Sequence, residues 1–178
     1  MVIYLVRHTT PDVEKGVCYG QADLKVTETF EEEAGEVKTR LRDLGAKDEA
    51  LFFSSPLQRC HQLAAFLTDS RITTDKRLME MDFGEWEMQK WNDIDEVALR
   101  CWTDDFVHEA CPGGESYQTF YARVVGFLKV LKGSDAAEAV IVTHGGVIRS
   151  VLSYLGETTL ETSFEVVVNY GAIFRVEI

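Results

Sequence analysis

Three apolar segments of this chain each end at charged or hydroxyl-bearing residues, and helical patterns separate them. The segments are "VIYLVRH" at 2–8, "ALFFSSPLQR" at 50–59 and "AVIVTHGG" at 139–146. Apolar runs without polar alternation are typical of strands that are buried on both faces, as in parallel sheets. The carboxyl ends of such strands meet at one edge, which is where open α/β sheets bind ligands. The pattern therefore predicts an α/β domain with a site at that edge.

Strand and helix signals alternate along the rest of the chain. We predict strands at 2–6, 50–53, 72–74 and 139–142, helices at 27–44, 56–67, 90–108, 116–132 and 146–155, and two further strands within 164–178 that turn at "NYG". Thr27 and Ser55 are the predicted N-caps of the first two helices, and Pro56 suits a first helical position. Such alternation implies mainly parallel pairing with right-handed crossovers. The predicted fold class is α/β, a three-layer α/β/α sandwich with a mostly parallel central sheet.

Length and charge restrict the classes of function. With 178 residues the chain fits a single domain, residues 1–178, with a core of its own. The net charge of −12 argues against nucleic-acid binding, which needs a basic surface. Exposed charges are screened beyond about 8–10 Å, so a local Arg and His cluster can still bind an anion.

Location and cysteine usage follow from the same sequence. No segment approaches the roughly 20 apolar residues that cross a bilayer, and no basic stretch precedes an apolar one at the N-terminus. We expect a cytoplasmic protein without membrane contact. The four cysteines form no C-x-x-C pair, so we expect reduced thiols.

The side chains at the ends of the apolar runs suit a phosphate group. Arg7 precedes His8, Arg59 follows the second run, and His144 ends the third. A guanidinium binds phosphate oxygens with two parallel N–H groups, and a neutral imidazole is a competent nucleophile near pH 7. A second, protonated imidazole would hold a phosphate oxygen. The glycine pair 145–146, at a predicted helix start, would direct backbone N–H groups at the anion.

Four motifs in order make the chain resemble the histidine phosphatase superfamily, which includes the phosphoglycerate mutases. The motifs are "LVRHT" at 5–9, "SSPLQRCHQLA" at 54–64, "LMEMDFGEWE" at 78–87 and "VTHGGVIR" at 142–149. The "GGES" segment at 113–116 also fits, so the resemblance spans nearly the whole chain. It implies a phosphoglycerate mutase-like fold and phosphoryl transfer without a metal or another cofactor.

The resemblance also implies a role for each site residue. His8 would be the nucleophile that becomes phosphohistidine, Arg7 and Arg59 would hold the phosphoryl oxygens, and His144 would complete the pocket. Glu80 would protonate the leaving oxygen and then help to activate water. Spacing alone does not select Glu80, because other acids stand at 82, 85 and 87.

The segment "KGVCYGQADL" at 15–24, with "RHT" instead of the commoner "RHG", is similar to the α-ribazole phosphatase branch. That branch removes a 5′-phosphate during assembly of the lower ligand of cobalamin. Gly20 and Gln21 are the substrate-binding positions this similarity implies, and Asn169 matches a recurrent family asparagine. Gly145 is a third predicted substrate-binding position, because of its place at the helix start. Three residues depart from the family pattern, namely Thr9, Phe30 and Met88, each at a position where glycine is common.

Other interpretations remain open at this point. His8 alone would more often be a hydrogen-bonded structural histidine, and Arg59 an ordinary surface arginine. Metal catalysis is disfavoured because no H-x-H, H-E-x-x-H or dense acidic cluster accompanies the histidines. His61 and His108 are expected to be structural or exposed.

Three alternative functions stay open as well: a phosphoglycerate mutase, a broad sugar-phosphate phosphatase, and an inactive phosphate-binding sensor. The short chain favours a phosphatase, because a mutase needs covering segments that keep water from its phosphoenzyme. The segment at about 85–115, with Trp91, Trp102 and Phe106, is expected to cap the pocket and to select a small-molecule phosphomonoester. An edge strand near the C-terminus would offer a surface for a homodimer.

Overall fold

The computed structural model describes all 178 residues of the chain, and its elements alternate as the sequence predicts. In chain order they are β1 (Val2–Arg7), α1 (Phe30–Asp43), β2 (Leu51–Ser54), α2 (Gln58–Leu67), β3 (Ile72–Thr74), α3 (Glu96–Asp104), α4 (Tyr117–Lys132), β4 (Glu138–Thr143), α5 (Gly145–Tyr154) and β5 (Ile173–Glu177). None of the helices is long and apolar enough to cross a membrane. All four cysteines are free thiols.

The five strands form one sheet in the order β3-β2-β4-β1-β5. Four of them are parallel, and β5 pairs antiparallel with β1 at one edge. Arg7 stands level with Thr143, and Ser54 stands level with Val142, so β1, β2 and β4 end at the same edge. The residues that follow these strands therefore meet there, as the three apolar runs predict.

Alternate side chains of the central strands enter two separate cores. Ile3, Leu5 and Ile141 belong to the core that includes α4 and α5. On the opposite face, Tyr4 and Val142 belong to the core that includes α1 and α2. Burial on both faces explains why these strands are continuous apolar runs. The three-layer α/β/α sandwich with a mostly parallel sheet is confirmed.

Two helices begin later than the sequence suggests. Helix α1 begins at Phe30 with Thr29 as its N-cap, while the hydroxyl of Thr27 lies 2.8 Å from that of Thr29. Helix α2 begins at Gln58, so the predicted cap at Ser55 and first turn at Pro56 are wrong. The Ser55 hydroxyl is instead 2.8 Å from His144 Nε2, a long-range contact that competes with local capping.

The predictions for 90–108 and 164–178 were also too regular. Within the first segment only Glu96–Asp104 is α-helical, after a single 3₁₀ turn at Trp91–Asp93. In the second, Ser163–Glu165 is a 3₁₀ turn and only Ile173–Glu177 is a strand. The residues before β5 are held by burial of Val168 and by aromatic contacts of Phe164. Both are tertiary contacts, which the local sequence pattern does not reveal.

Met88 is the only residue other than glycine with a left-handed backbone, at φ 66°. This conformation crowds a Cβ atom and costs an ordinary residue about 1 kcal/mol or more. The strain gives a physical reason for the glycine that the family pattern has at this position.

We expect Met88→Gly to raise the free energy of unfolding by about 0.5–1 kcal/mol, because strain relief exceeds the added freedom of the unfolded chain. Urea denaturation would measure the change. The neighbouring Gln89→Gly, at a position without left-handed backbone, should lower stability instead. Equal destabilisation by both variants would contradict the prediction.

Candidate active site

Two imidazoles and a guanidinium meet at the carboxyl edge of the sheet. His8 directly follows β1 and His144 directly follows β4, and their ring centroids are 5.2 Å apart. Both histidines are buried. Arg59, in the first turn of α2, is fully buried, and its Nη2 lies 3.3 Å from His144 Nδ1. The structure therefore brings together residues that are far apart in the sequence, since His8 and His144 are separated by 136 positions.

A cavity of about 350 Å³ opens beside His8. Its charged and titratable lining comes from three parts of the chain and includes Arg7 and His8 at the end of β1, Glu80 in a loop and Arg149 in α5. The rest of the lining is mostly apolar and aromatic: Val17, Tyr19, Met81, Phe83, Trp91, Tyr117, Phe120, Gly146 and Phe164. The cavity thus offers cationic groups to an anion and apolar surface to an apolar group.

The proton on His8 is fixed by one hydrogen bond. His8 Nδ1 lies 2.7 Å from the carbonyl oxygen of Thr9. A carbonyl only accepts, so a neutral ring carries its proton on Nδ1 and leaves the lone pair on Nε2. Burial, followed by the charge of Arg59, lowers the pKa of His8 well below the usual value. The ring is therefore neutral and has a nucleophilic nitrogen.

His144 is neutral for similar reasons. Burial lowers its pKa most, and the positive charge of Arg59 lowers it further. Arg59 only donates, so His144 Nδ1 accepts from Nη2, while Nε2–H donates to Ser55 Oγ at 2.8 Å. His144 is thus a neutral imidazole in this arrangement, and not the protonated one that the sequence suggested. Cys60 Sγ is 3.4 Å from His144 Nε2, and this thiol is buried.

We expect these two neutral histidines to make the protein sensitive to mild acid. The unfolded chain takes up protons near pH 6.5, whereas the folded imidazoles stay neutral until their lower pKa values are reached. The free energy of unfolding should therefore fall as the pH drops below about 6.5. The loss approaches about 1.4 kcal/mol per pH unit for each histidine.

Urea midpoints at pH 7.5 and pH 5.0 would measure this loss. His61→Asn should leave the difference unchanged, because His61 is exposed. Equal midpoints at the two pH values would contradict the prediction.

Arg59 also anchors the loop at 20–22. Its Nη2 donates to the carbonyl of Gly20 at 2.6 Å and its Nη1 to that of Ala22 at 2.7 Å. The Glu87 carboxylate accepts the N–H groups of the same loop, at distances of 2.8 to 3.1 Å from Gly20, Gln21 and Ala22. It accepts the Phe83 N–H as well, at 3.2 Å.

This arrangement gives the loop residues a structural task. Gly20 has no room for a side chain, because a Cβ atom would lie 1.9 Å from the Met81 carbonyl oxygen. Gln21 donates its side-chain amide to the Glu80 carbonyl at 3.3 Å. Neither residue lines the cavity. The contact of Gly20 and Gln21 with substrate stays a prediction. Sequence analysis missed the role of Glu87, because no local pattern distinguishes this acid from Glu80.

Glu80 is held against the start of α5. Its Oε2 accepts the Gly146 N–H at 3.0 Å, and its Oε1 accepts the Met81 N–H at 3.0 Å. A Cβ atom at position 146 would lie 2.2 Å from Glu80 Oε1, so any other residue there would displace the Glu80 carboxylate. The expectation that both glycines direct N–H groups at the ligand needs correction, because the Gly146 N–H is engaged by Glu80.

Arg7 is flanked by a tyrosine. Its guanidinium donates to the Val168 carbonyl, and its Cζ lies 4.1 Å from the Tyr170 ring centroid. Tyr170 lies beside His8, with ring centroids 5.6 Å apart, and its hydroxyl is 2.6 Å from that of Tyr19. Sequence analysis described position 170 only as part of a turn, and its contacts arise from the tertiary fold.

The remaining predicted positions lie outside the cavity. Thr9 is buried and Asn169 is exposed, and neither lines the cavity. Phe30 packs against Phe66, with ring centroids 5.9 Å apart. His61 and His108 are exposed, as expected. No group of three or more His, Cys, Asp or Glu side chains is arranged to hold a metal ion.

The aromatic side of the cavity rests on the segment at 83–106. Trp91 and Phe83 line the cavity, with ring centroids 5.6 Å apart. Trp86 and Trp102 support them from behind, at 5.7 Å from each other. Helix α3 itself has no buried residue, and the segment is anchored in the core by Trp86 and Ile94, its two buried residues.

Known proteins share this architecture. A family model described as histidine phosphatase superfamily (branch 1) matches residues 3–178. A protein of Hydrogenobacter thermophilus named "Putative phosphoserine phosphatase 2" is 30% identical over 184 positions, which cover 98% of this chain and 88% of that protein.

Two solved structures are similar over nearly their whole length. The alpha-ribazole phosphatase from Shigella flexneri has a TM-score of 0.87 at 27% identity, covering 100% of this chain and 91% of that one. A phosphoglycerate mutase from Thermus thermophilus has a TM-score of 0.78 at 31% identity, covering 99% and 93%. With the paired histidines and buried arginine already described, these matches establish that this chain is a phosphatase belonging to branch 1 of the histidine phosphatase superfamily.

Proposed function

We propose that this protein hydrolyses a small phosphomonoester through a phosphohistidine at His8, without a metal or another cofactor. The observation that supports this most is the free lone pair on His8 Nε2. The Thr9 carbonyl fixes the proton on the other ring nitrogen. The same cavity holds Arg7 and Glu80, and Arg59 and His144 lie behind it.

The chemistry proceeds in two displacements. In the first, His8 Nε2 forms a bond to phosphorus, the ester P–O bond breaks, and Glu80 gives a proton to the departing alcohol. In the second, Glu80 takes a proton from water, whose oxygen attacks the phosphohistidine and releases phosphate and His8. Arg7 and Arg59 hold the phosphoryl oxygens with N–H groups that have no partner in the protein, which include the Nε–H of each. His144 lies beside the same oxygens. The negative charge of a bound phosphate raises the pKa of His144, against the lowering by burial and by Arg59.

The leading substrate is α-ribazole 5′-phosphate. Its aromatic base matches the apolar lining of Phe83, Trp91 and Phe164, and its phosphate matches Arg7 and His8. The name of the Shigella structure supports the same choice. We also propose that the segment at 85–115 is the cap that selects the alcohol, and that the protein works in the cytoplasm. Strand β5, an edge of the sheet, is the surface we assign to a homodimer.

Trapping the intermediate tests the proposed chemistry. Incubation with a ³²P-labelled phosphomonoester, followed by an alkaline quench, should leave a label on the protein that is stable in base and lost in acid. A protein that turns over substrate without such a label would contradict the phosphohistidine. A protein that binds vanadate but hydrolyses no phosphomonoester would support the sensor alternative.

Comparing substrates tests the proposed specificity. We expect kcat/KM to be highest for α-ribazole 5′-phosphate among that ester, O-phosphoserine, 3-phosphoglycerate and ribose 5-phosphate. Free phosphate should equal the substrate consumed. An isomerised phosphoglycerate would support a mutase, and the Hydrogenobacter relative makes O-phosphoserine the main competing substrate.

We expect Gly146→Ala to lower kcat by about 100-fold, at the lower end of what general acid catalysis supplies. The added Cβ would lie 2.2 Å from Glu80 Oε1, so the carboxylate must leave the Gly146 N–H. Steady-state kinetics with phenyl phosphate would measure the loss.

Gly145→Ala is the matched control and should lose less activity. There the nearest atom is Arg149 Nη1 at 3.1 Å, so a shift of a few tenths of an ångström makes room, and Glu80 keeps its place. If Gly146→Ala were the more active of the two variants, the proposed placement of Glu80 would be wrong.

A further inference from the structure

The cavity contains one guanidinium that the mechanism does not use. Arg149, on the second turn of α5, lines the cavity together with His8 and Glu80. Its Nε donates to the Val166 carbonyl at 3.1 Å. This is its only hydrogen bond to protein atoms, and no carboxylate lies within ion-pair distance. Both terminal nitrogens therefore remain available to a ligand.

Arg149 lies next to the phosphate side but is distinct from it. A Cβ atom at Gly145 would be 3.1 Å from Arg149 Nη1 and 3.6 Å from Arg7 Cζ, so the two guanidiniums flank one residue. Arg149 Cζ is 5.3 Å from the Phe164 ring centroid. The side chain thus stands between the cationic side of the cavity and its aromatic wall, where the alcohol part of a substrate would begin.

The surroundings of Arg149 leave its charge poorly compensated. Burial lowers its pKa, the nearby Glu80 charge raises it, and the positive charge of Arg7 lowers it again. Glu80 is already engaged by two backbone N–H groups and does not hydrogen-bond to Arg149. A half-buried guanidinium with unused N–H groups gains most from an oxygen acceptor that a ligand supplies.

We propose that Arg149 is a specificity-determining residue that binds oxygen atoms on the alcohol part of the substrate, close to the ester. This inference rests on the proposed phosphomonoesterase function and refines its substrate class. A guanidinium presents two parallel N–H groups, which match a carboxylate or two neighbouring sugar hydroxyls. Both groups present the same acceptor chemistry, and the experiment below distinguishes them.

The test compares Arg149→Met on substrates with and without such oxygens. Phenyl phosphate has none, α-ribazole 5′-phosphate and ribose 5-phosphate have hydroxyls, and O-phosphoserine has a carboxylate. We expect kcat/KM to fall about 10–100-fold more for an oxygen-bearing substrate than for phenyl phosphate, the size of a charge-assisted hydrogen bond. A selective loss on O-phosphoserine would identify a carboxylate, and one on the sugar phosphates would identify hydroxyls.

Two matched variants control for charge and for folding. Arg71→Met makes the same chemical change at an exposed arginine outside the cavity and should not alter the ratio. Arg149→Lys keeps the charge but loses the two parallel N–H groups, so it should show part of the selective loss. Arg149→Met and Arg149→Lys both lose the Nε–H bond to Val166, so melting temperatures of the two would show whether loss of that bond alone destabilises the fold.

Two results would overturn the inference. Equal losses on all substrates, including phenyl phosphate, would mean that Arg149 acts on the phosphate or through Glu80. No loss on any substrate would mean that the alcohol does not contact Arg149.

A binding measurement separates this inference from the proposed function. Calorimetric affinities for the same four phosphoesters in a His8→Asn background need no turnover. If the wild-type protein proved inactive, a selective loss of affinity in Arg149→Met would still support the contact. A uniform loss would reject it.

Discussion

Asparagine in place of His8 should abolish both turnover and labelling of the protein. The variant keeps a polar side chain of similar size but has no nitrogen lone pair to attack phosphorus. We expect kcat to fall by at least about 10⁴-fold, the scale seen when a covalent nucleophile is removed. The positioned arginines alone are expected to leave only a small residual rate.

Rapid-quench kinetics and the alkaline trapping experiment would measure both effects. His61→Asn makes the same change at an exposed histidine in α2 and should keep full activity. Circular dichroism and vanadate binding would show that His8→Asn is folded with its anion site intact. A labelled protein in the absence of His8 would place the phosphoryl group on another residue and refute the mechanism.

Replacing Arg59 by methionine should damage catalysis and stability together. Its guanidinium is fully buried and holds two backbone carbonyls and one imidazole. Without it, the carbonyls of Gly20 and Ala22 lose their donors, which costs about 1–3 kcal/mol for each buried group left unpaired. We expect the free energy of unfolding to fall by about 3–5 kcal/mol, the range for breaking a buried charged network.

The catalytic effect should be at least as large. Loss of one arginine from a phosphoryl-transfer site removes charge stabilisation on the scale of 10³-fold or more in kcat. Urea denaturation and steady-state kinetics would measure the two effects separately, and Arg71→Met is the surface control. If Arg59→Met lost activity but kept wild-type stability, the anchoring role of the guanidinium would be wrong.

The sequence predicted the sheet well because its central strands are buried on both faces. The runs at 2–6 and 139–142 are apolar without alternation, as expected of such strands, and their ends position His8 and His144. The start of α2 was misplaced because the Ser55 hydroxyl is used by His144, 89 positions away. A capping preference is local and cannot register such a contact.

Within the site, sequence reasoning reached the residues of strong motifs and missed those defined by tertiary contacts. Glu80 and Glu87 stand in one acidic stretch, and only the fold separates the acid beside Gly146 from the acid that binds the loop. Arg149 and Tyr170 carry no local pattern that distinguishes them from surface residues. Their positions depend on α5 and on the turn that precedes β5.

The four N–H groups gathered by Glu87 have a consequence for protein engineering. That carboxylate, seven positions after Glu80 and four before Trp91, joins the segment at 20–22 to Phe83. Transplanting a new 15–24 segment from another phosphatase would therefore succeed only if the donor's acidic partner travelled with it. Substrate preference in this scaffold should be exchanged by replacing the 15–24 segment and the segment around Glu87 together. Replacing either one alone would leave the hydrogen-bonding groups of the other without partners.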